Sequence, residues 1–354
     1  MNIRIYTMTH KKFTPPSDPI YLPLQLGKAA KDDLGYMGDD TGDNISAQNC
    51  YFAELSGVYW VYKNVKDADI VGICHYRRYL IDDEEKLLTA DKIEKLLIDN
   101  DMIATRLLTL RCNYYDGFAE NHNISDLLAA EAAVKKLYPE YYEDFHRIIH
   151  DRHTYFGNIM ICRKSLYDAY CKWLFDILFE VQRNVDIDSY DDYQKRLFGF
   201  ISEILLYVYC RHNHLKVSEL KVGMIGEKRE TIEMKAELSK YFRAHDFTAA
   251  HKYITDCLKK RPDVLMEASD VFGELKICMQ IISTCEYEYD ARGTTILDRV
   301  DSLPALLTLF KQVNKIAGRL IENKATKEDR RFLEENMISE EMLNIAVTIT
   351  KAGM

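Results

Sequence analysis

No stretch of this sequence approaches the ~20 consecutive apolar residues that a membrane-spanning helix needs, so an integral helical membrane protein is not expected. The N-terminus, Met1-Asn2-Ile3-Arg4-Ile5, lacks the layout of a secretory leader and enters a strand pattern directly. Paired cysteines are lacking as well. Nine are scattered, with an odd total and no Cys-x-x-Cys, which points away from a disulfide framework and a structural zinc site and toward reduced, mostly buried thiols. Positive charge is also short, with 47 Lys and Arg against 56 Asp and Glu and a net charge of -9. That deficit excludes a duplex nucleic-acid binder, which relies on a basic face. The expected setting is cytoplasmic.

What is present is an ordinary globular composition, 47% hydrophobic and 29% charged over 354 residues, enough for one large domain and a smaller one. The 24 tyrosines and 14 phenylalanines suit either a ring-binding cleft or aromatic core packing. The most informative string is Val71-Gly72-Ile73-Cys74-His75-Tyr76-Arg77-Arg78-Tyr79. Ile70 to Cys74 reads as a short strand buried on both faces. The residues that follow are an imidazole and two guanidiniums at its carboxyl end, where open α/β sheets place ligands. Paired arginines match the planar oxygens of phosphate, so the motif predicts a site for a phosphorylated, anionic ligand. The competing reading is a surface salt-bridge cluster with the acids of Asp82 to Glu85, and His75 alone reads equally as a satisfied buried histidine.

Along the chain, Ile3 to Thr9 predicts the first strand, closed by His10, Lys11 and Lys12. A polar loop over residues 27–46 carries Asp39, Asp40, Asp43 and Asn44, and Ser46 is placed to cap a helix bearing Phe52, Leu55, Tyr59 and Tyr62 on one face. A helix over Ala90 to Ile98 and a strand over Asp101 to Thr105 continue the alternation of an α/β layer architecture. Residues 106–123 read as a long binding loop with Tyr114, Tyr115, Asp116 and His122. Helices are expected over Ser125 to Leu137 and Glu140 to His150, then a strand over Tyr155 to Cys162 containing Asn158. Ser165 starts the next helix. Another, from Ser189 to His212, carries Arg196, Gly199, Glu203 and Tyr207 as a separate stripe, where Gly199 permits close approach of a ligand or backbone. Beyond residue 228 the pattern is helical, with segments around Ile232 to Arg243, Thr248 to Lys260, Val264 to Thr284, Leu303 to Ile321 and Lys327 to Ala346. Phe242 to Pro262 resembles one helix-turn-helix unit of a tetratricopeptide array, without a clear repeat.

Several of these stretches resemble a bacterial family labelled domain of unknown function 4422, found in capsular and exopolysaccharide gene clusters and regarded as glycosyltransferases, some of them galactofuranosyltransferases. They are Thr9-His10-Lys11, Gly42 to Ser46 with Tyr59-Trp60, Gly72 to Tyr79, Asn158-Ile159-Met160, Lys172 to Phe175 and Arg196 to Glu203. The resemblance implies an α/β, GT-A-like nucleotide-sugar fold with a central, mostly parallel sheet in residues 1–227, followed by an α-helical domain in 228–354. It also implies transfer of a hexose, including galactofuranose, from a UDP-sugar to a lipid-linked or oligosaccharide acceptor. That acceptor would bring the chain to the inner face of the cell membrane as a peripheral protein. The acidic Asp-x-Asp metal motif of the fold is expected after a central strand, where this sequence has His75 to Arg78. Fixed cations then take over the stabilisation of the diphosphate, while Asp39, Asp40 and Asp43 are the candidates for Mg²⁺ or Mn²⁺.

On that reading the donor side comprises His10, Lys11, Asp43, Asn44, His75, Tyr76, Arg77 and Arg78. The acceptor side comprises Tyr114, Tyr115, His122, Asn158 and Arg196. Glu203 is the candidate base for the acceptor hydroxyl, with Asp116 in reserve; the alternative for Glu203 is a structural carboxylate paired with Arg196. Gly42 to Ser46 serves either as a turn or as an anion site. Two rival functions stand beside glycosyl transfer: phosphoryl or sugar-phosphate transfer through His75, and non-catalytic binding of nucleotide sugars.

Overall fold

The structure is a computed structural model that describes residues 1–226, 229–265 and 270–353. The chain divides into two compact units, Met1–Ile225 and Gly226–Met354.

The first unit is built on a sheet of β1 (Ile3–Thr9), β2 (Tyr21–Gln25), β3 (Met37–Gly38), β4 (Ile70–His75), β5 (Arg78–Ile81), β6 (Met102–Thr105), β9 (Met160–Arg163) and β10 (Val217–Met224). A separate ribbon pairs β7 (Leu108–Thr109) with β8 (His153–Thr154). In the large sheet β1 lies parallel between β2 and β4, and β9 runs antiparallel between β4 and β6. β10 then joins β6 in parallel and β5 in antiparallel sense. β1, β2, β3, β4, β6 and β10 thus run in one direction, and β5 and β9 run against them, so the sheet is mostly parallel.

Alternation explains why β1 and β4 lie at the centre. Tyr6, Met8, Val71 and Ile73 enter one core, while Ile3, Ile5, Ile70 and Cys74 enter another on the opposite face. The first core is covered by helices that include α2 (Leu55–Asn64), α5 (Ile124–Leu137), α6 (Tyr142–Ile149), α7 (Lys164–Gln182) and α8 (Leu197–His212), the second by α3 (Ala90–Asp99). Gly72 is required where β1 and β9 press on β4: a Cβ there would meet Ile161 Cγ1 at 2.8 Å and Ile5 Cγ1 at 3.2 Å.

Several local expectations give way to neighbouring contacts. Residues 106–123 are not one loop but hold β7 and the helix α4 (Tyr114–Asn121), capped by Asn113. The helix expected after Ser46 is broken by Ala53, with φ 47 and ψ -125, into α1 (Asn49–Phe52) and α2. Ser46 does not cap it, since its hydroxyl donates instead to Asp39 Oδ1. Ser165 lies inside α7, which begins at Lys164. α8 starts at Leu197, because short 3₁₀ turns occupy Ile187–Ser189 and Gln194–Arg196. Asn158 precedes β9 rather than sitting within a strand. Sequence reading also missed β10, whose residues alternate little in burial.

The second unit is helical among its described residues, with helices at Arg229–Arg243, Phe247–Lys260, Glu274–Arg292, Leu303–Ile321, Lys327–Glu335 and Glu340–Gly353. Leu238, Phe242, Cys278, Ile281, Phe310 and Val313 form the centre of its own core. The single helix expected over Lys327 to Ala346 is two, separated at Met337 with φ 47. The helix expected from Val264 to Thr284 crosses residues 266–269, which lie outside the described residues, and the observed helix begins at Glu274. Among the described residues no helix is long and apolar enough to cross a membrane.

Candidate active site

β4 delivers His75 to the carboxyl end of the central strand, and the backbone then reverses through Tyr76 and Arg77 so that His75 pairs with Arg78. His75 Nε2 lies 2.6 Å from the carbonyl oxygen of Gly157. A carbonyl only accepts, so Nε2 carries a hydrogen and donates it. A donating Nε2 has no free lone pair with which to attack phosphorus. On its other side Gly157 donates its amide to Glu203 Oε1 at 2.9 Å. Gly157 thus links the end of β4 to α8.

Gly157 and Asn158 are consecutive left-handed residues, with φ 86 and φ 52. Glycine has no Cβ to object, and asparagine tolerates this region better than most side chains. The turn buries Asn158 to 2% exposure. Its Nδ2 donates to Glu54 Oε1 and to Ser202 Oγ, each at 2.8 Å, and the Ser202 hydroxyl donates to the Gly199 carbonyl at 2.8 Å. Asn158 Oδ1 is buried without a protein partner.

Glu54 reaches this point because Ala53 breaks the helix. A non-glycine residue in that conformation costs on the order of 1–3 kcal/mol, and such strain concentrates at functional sites. α8 comes close enough at Gly199 that a Cβ there would lie 3.4 Å from Ala53 Cβ and 3.7 Å from Glu54 Oε2. The close approach read from Gly199 is therefore made by the Ala53-Glu54 junction.

The charges at the cluster push in different directions. Burial raises the Glu54 carboxyl, but His75, Arg196 and the Asn158 amide outweigh it and leave the group below the ordinary carboxylate value. Burial also lowers His75; Glu54 opposes that fall, while Arg78 and Arg196 add to it. Glu203 is pushed up to about 8 by burial and by the charge of Glu54, against the Gly157 amide, Arg78 and Arg196. All of Glu54, His75, Arg78 and Glu203 are half-buried, so each retains some access to solvent. Two carboxyl groups separated in this way, beside an imidazole and a guanidinium, are equipped for acid–base chemistry on an anionic substrate.

The family model for a domain of unknown function, DUF4422, matches residues 4–214. The chain belongs to this family. A solved structure described as the apo form of the WbbM bifunctional glycosyltransferase is similar at 32% sequence identity and a TM-score of 0.60, covering 64% of this chain and 46% of that one. The match thus takes in less than half of that protein. No curated protein matches the chain.

Within this DUF4422 domain the two arginines of the motif part company. A Cβ at Gly157 would lie 3.6 Å from Arg78 Nη1, so Arg78 belongs to the cluster. Arg77 instead donates from Nε to the Ile225 carbonyl at 3.3 Å. Of the acids proposed to pair with them, Asp82 takes Lys92 at 2.8 Å and Glu84 takes Lys86 at 2.8 Å. The Tyr76 ring packs edge-on against His10 at 5.4 Å and Phe13 at 5.9 Å. Lys11 closes β1 through its backbone, bonding Thr9 Oγ1 from both its amide and its carbonyl. His10, Gln25, Lys31 and Asp32 border an open depression at the carboxyl ends of β1 and β2.

The DUF4422 domain does not gather the three aspartates into a metal site. Asp39 is fully buried and accepts from Gly27 N, Lys28 N, Ser46 Oγ and Ser56 Oγ, so both oxygens are engaged in holding the 27–56 segment together. Asp43 accepts from Tyr59 OH at 3.0 Å and faces Lys63, while Asn44 closes the turn to Ser46. Asp40 is exposed. Among the described residues no group of three His, Cys, Asp or Glu side chains is placed to hold a metal ion. Asp39, Asp40 and Asp43 do not together fit Mg²⁺ or Mn²⁺.

On the acceptor side, Asp116 shares reciprocal hydrogen bonds with Asn113 at the start of α4, a helix cap rather than a base in a cleft. Tyr114 is buried, donates to the Phe200 carbonyl at 3.1 Å, and lies near enough to Glu203 for that charge to add to the effect of burial in raising its phenol well above the ordinary value. His122 stacks on Phe200 at 4.2 Å and Tyr193 at 5.6 Å, and Arg196 sits over Phe200 at 5.8 Å. Tyr115 stacks on His150 at 5.2 Å, apart from that group.

Glu54 was missed from sequence. A signal exists: from Asn44 to Tyr62 it is the single charged side chain, set at the head of a helix whose residues are otherwise built for burial.

Proposed function

We propose that this chain is a nucleotide-sugar-dependent glycosyltransferase that moves a hexose, including galactofuranose, from a UDP-sugar to a lipid-linked or oligosaccharide acceptor in capsular or exopolysaccharide synthesis. One observation carries the reading: Glu54, His75, Arg78 and Glu203 converge on the Gly157-Asn158 turn at the end of the central strand. The DUF4422 match and the similarity to a bifunctional glycosyltransferase support the same class of reaction.

In this reading the diphosphate lies against Arg78, whose fixed positive charge stabilises the negative charge that grows as the bond from the anomeric carbon to the phosphate oxygen breaks. His75 holds Gly157 in place through Nε2–H. A carboxylate of the Glu54–Glu203 pair accepts the proton of the acceptor hydroxyl as its oxygen bonds to the anomeric carbon. The aromatic group of His122, Tyr193 and Phe200 borders the acceptor side, because sugar C–H faces pack well on rings.

The test is to incubate the full chain with UDP-galactofuranose, UDP-galactopyranose or UDP-glucose together with oligosaccharide acceptors. Expected are UDP release and a product heavier by one hexose in the mass spectrum. UDP-sugar binding without release, whatever the acceptor, would leave a binding protein instead. A phosphate recovered on His75 would point to phosphoryl transfer.

A further inference from the structure

We propose that Asn49 is a positioning residue for Glu54, gripping the strained turn from which that carboxyl enters the cluster; this deepens the glycosyl-transfer reading above and rests on it.

Ala53 (φ 47, ψ -125) and Glu54 (φ -62, ψ -22) take the dihedrals of the central pair of a type II′ turn, whose first place suits glycine. Alanine carries a Cβ there, so contacts from outside the turn have to hold it in shape. They act on its carbonyl. Asn49 Nδ2 donates to Ala53 O at 2.6 Å, whereas the Ser56 amide reaches the same oxygen only at 3.4 Å. The Ser56 hydroxyl lies 3.2 Å from it but gives its hydrogen to Asp39 Oδ2 at 2.6 Å. Asn49 is thus the closest donor to the peptide plane that joins the strained residue to Glu54.

The contacts of the Asn49 amide fix its orientation. Lys31 Nζ lies 2.7 Å from Oδ1, and an ammonium only donates, so that atom is the oxygen. On the nitrogen side the Ala53 carbonyl takes one N–H, and the Ser56 oxygen, its own hydrogen turned to Asp39, takes the other at 3.0 Å. The side chain also packs directly on the Gly27 backbone. A Cβ at Gly27 (φ 65) would meet Asn49 Oδ1 at 2.7 Å and its Cβ at 2.8 Å. Gly27 and Lys28 donate their amides to the buried Asp39, so the segment behind Asn49 is itself tied down.

The consequence reaches Glu54 through one peptide bond. Its carboxyl meets Asn158 Nδ2 and lies among His75, Arg196 and Glu203 while the turn keeps this shape. With the Asn49 amide removed, Ala53 lowers its strain by leaving the left-handed region, and Glu54 moves with it. Glycine at position 53 has no such strain to release. Ala53→Gly should therefore rescue the loss of Asn49, which it would not do for a contact that only stabilises the fold.

The experiment compares Asn49→Ala, Asn49→Asp and the double variant Asn49→Ala with Ala53→Gly in the full chain, reading kcat, donor KM and UDP affinity below the melting range. A remote change that misplaces a reacting group by about 1 Å costs on the order of 10²-fold, so Asn49→Ala should lose kcat by about 10- to 100-fold while UDP affinity stays within about threefold. Asn49→Asp keeps the Lys31 contact and the size of the side chain but turns an oxygen toward the Ala53 carbonyl, so it should lose at least as much. The double variant should regain most of the lost kcat. An Asn49→Ala chain as fast as wild type overturns the assignment, as do equal falls in kcat and UDP affinity, or a loss that Ala53→Gly leaves in place. Should Asn49→Ala fail to fold, Asn49→Asp decides: wild-type kcat overturns the assignment, and lost kcat with retained UDP affinity supports it.

A readout without substrate separates this assignment from the transferase reading. The NMR resonance of the Glu54 carboxyl carbon, identified by its loss in Glu54→Gln, should titrate at higher pH in Asn49→Ala than in wild type. The carboxyl then moves away from His75, Arg196 and the Asn158 amide, which favour its charge and outweigh Glu203 and burial, which oppose it. An unchanged titration refutes the assignment. A wild-type chain that never turns over a UDP-sugar refutes the transferase reading, and a shifted Glu54 titration in Asn49→Ala would still support Asn49 as the residue that places Glu54.

Discussion

Asn158 Nδ2 lies 2.8 Å from Glu54 Oε1, joining residues 104 positions apart, and the same nitrogen holds Ser202. One buried amide therefore ties the α1–α2 junction to α8. Asn158→Ala removes the donor and leaves a half-buried carboxylate and a hydroxyl without it, which costs about 1–3 kcal/mol. The midpoint of urea denaturation should fall accordingly. Activity should fall further than stability explains, since Glu54 loses the contact that orients it, and a variant as active as wild type would show that Glu54 needs no such support.

The division between Arg77 and Arg78 predicts unequal effects of their removal. Arg78 lies at Gly157, beside His75 and Glu203, whereas Arg77 bonds the Ile225 carbonyl. A charge-assisted hydrogen bond contributes about 1.5–3 kcal/mol, so Arg78→Ala should weaken UDP binding by roughly 10- to 100-fold in a calorimetric titration. Arg77→Ala should stay within a few-fold of wild type. Equal losses would place both guanidiniums on the ligand.

What was legible in the sequence follows from how local each signal is. β1 and β4 were readable because their alternating apolar residues are a property of seven or fewer neighbours. His75 and Arg78 were legible as basic residues closing a strand, Asn158 as an amide in an apolar run and Glu203 as a carboxylate on a stripe apart from the core face, and the structure brings them to one turn. Their geometry was not legible. Ala53 breaks a well-patterned helix at the point where Gly199 of α8 approaches it, an approach between residues far apart in the chain. Residues 114–121 looked like a loop because Gly117 weakens the helical pattern, although Asn113 and Asp116 carry a readable cap. Asp39 looked like a metal ligand because nothing in its neighbours in sequence reveals that Ser46 and Ser56 bond both its oxygens.

Two glycines should respond to alanine for different reasons. At Gly72 the backbone is an ordinary strand, and the obstacle is the 2.8 Å approach of Ile161, so Gly72→Ala overpacks the sheet and costs about 1–3 kcal/mol. At Gly157 the space is adequate, with Arg78 Nη1 at 3.6 Å from the new Cβ, and the cost of about 1–2 kcal/mol comes from φ 86. Thermal melts should show both losses. In a double-mutant cycle only Gly72→Ala should couple favourably to Ile161→Ala, which removes the opposing Cγ1, because trimming a neighbour cannot relieve a dihedral.

The pH dependence of stability offers a test of the cluster that needs no substrate. Glu203 ionises near pH 4.3 in an unfolded chain but near 8 in the fold. Below about pH 4 both states hold the proton, so the group contributes no pH dependence. Between the two values the folded state binds more protons than the unfolded one, and stability falls as pH rises, by at most about 1.4 kcal/mol per unit. Above the folded value the penalty is complete and constant. Glu203→Gln cannot ionise and escapes it. The difference in unfolding free energy between Glu203→Gln and wild type should therefore be flat at the acid end, grow in favour of the variant from about pH 4.5 to about 8, and level off beyond. Glu54 carries the opposite sign, since its folded value is depressed, so Glu54→Gln should lose stability relative to wild type as pH rises through the carboxylate range. Denaturant titrations at several pH values measure both slopes, and slopes of the same sign would mean that the two carboxyls share one environment.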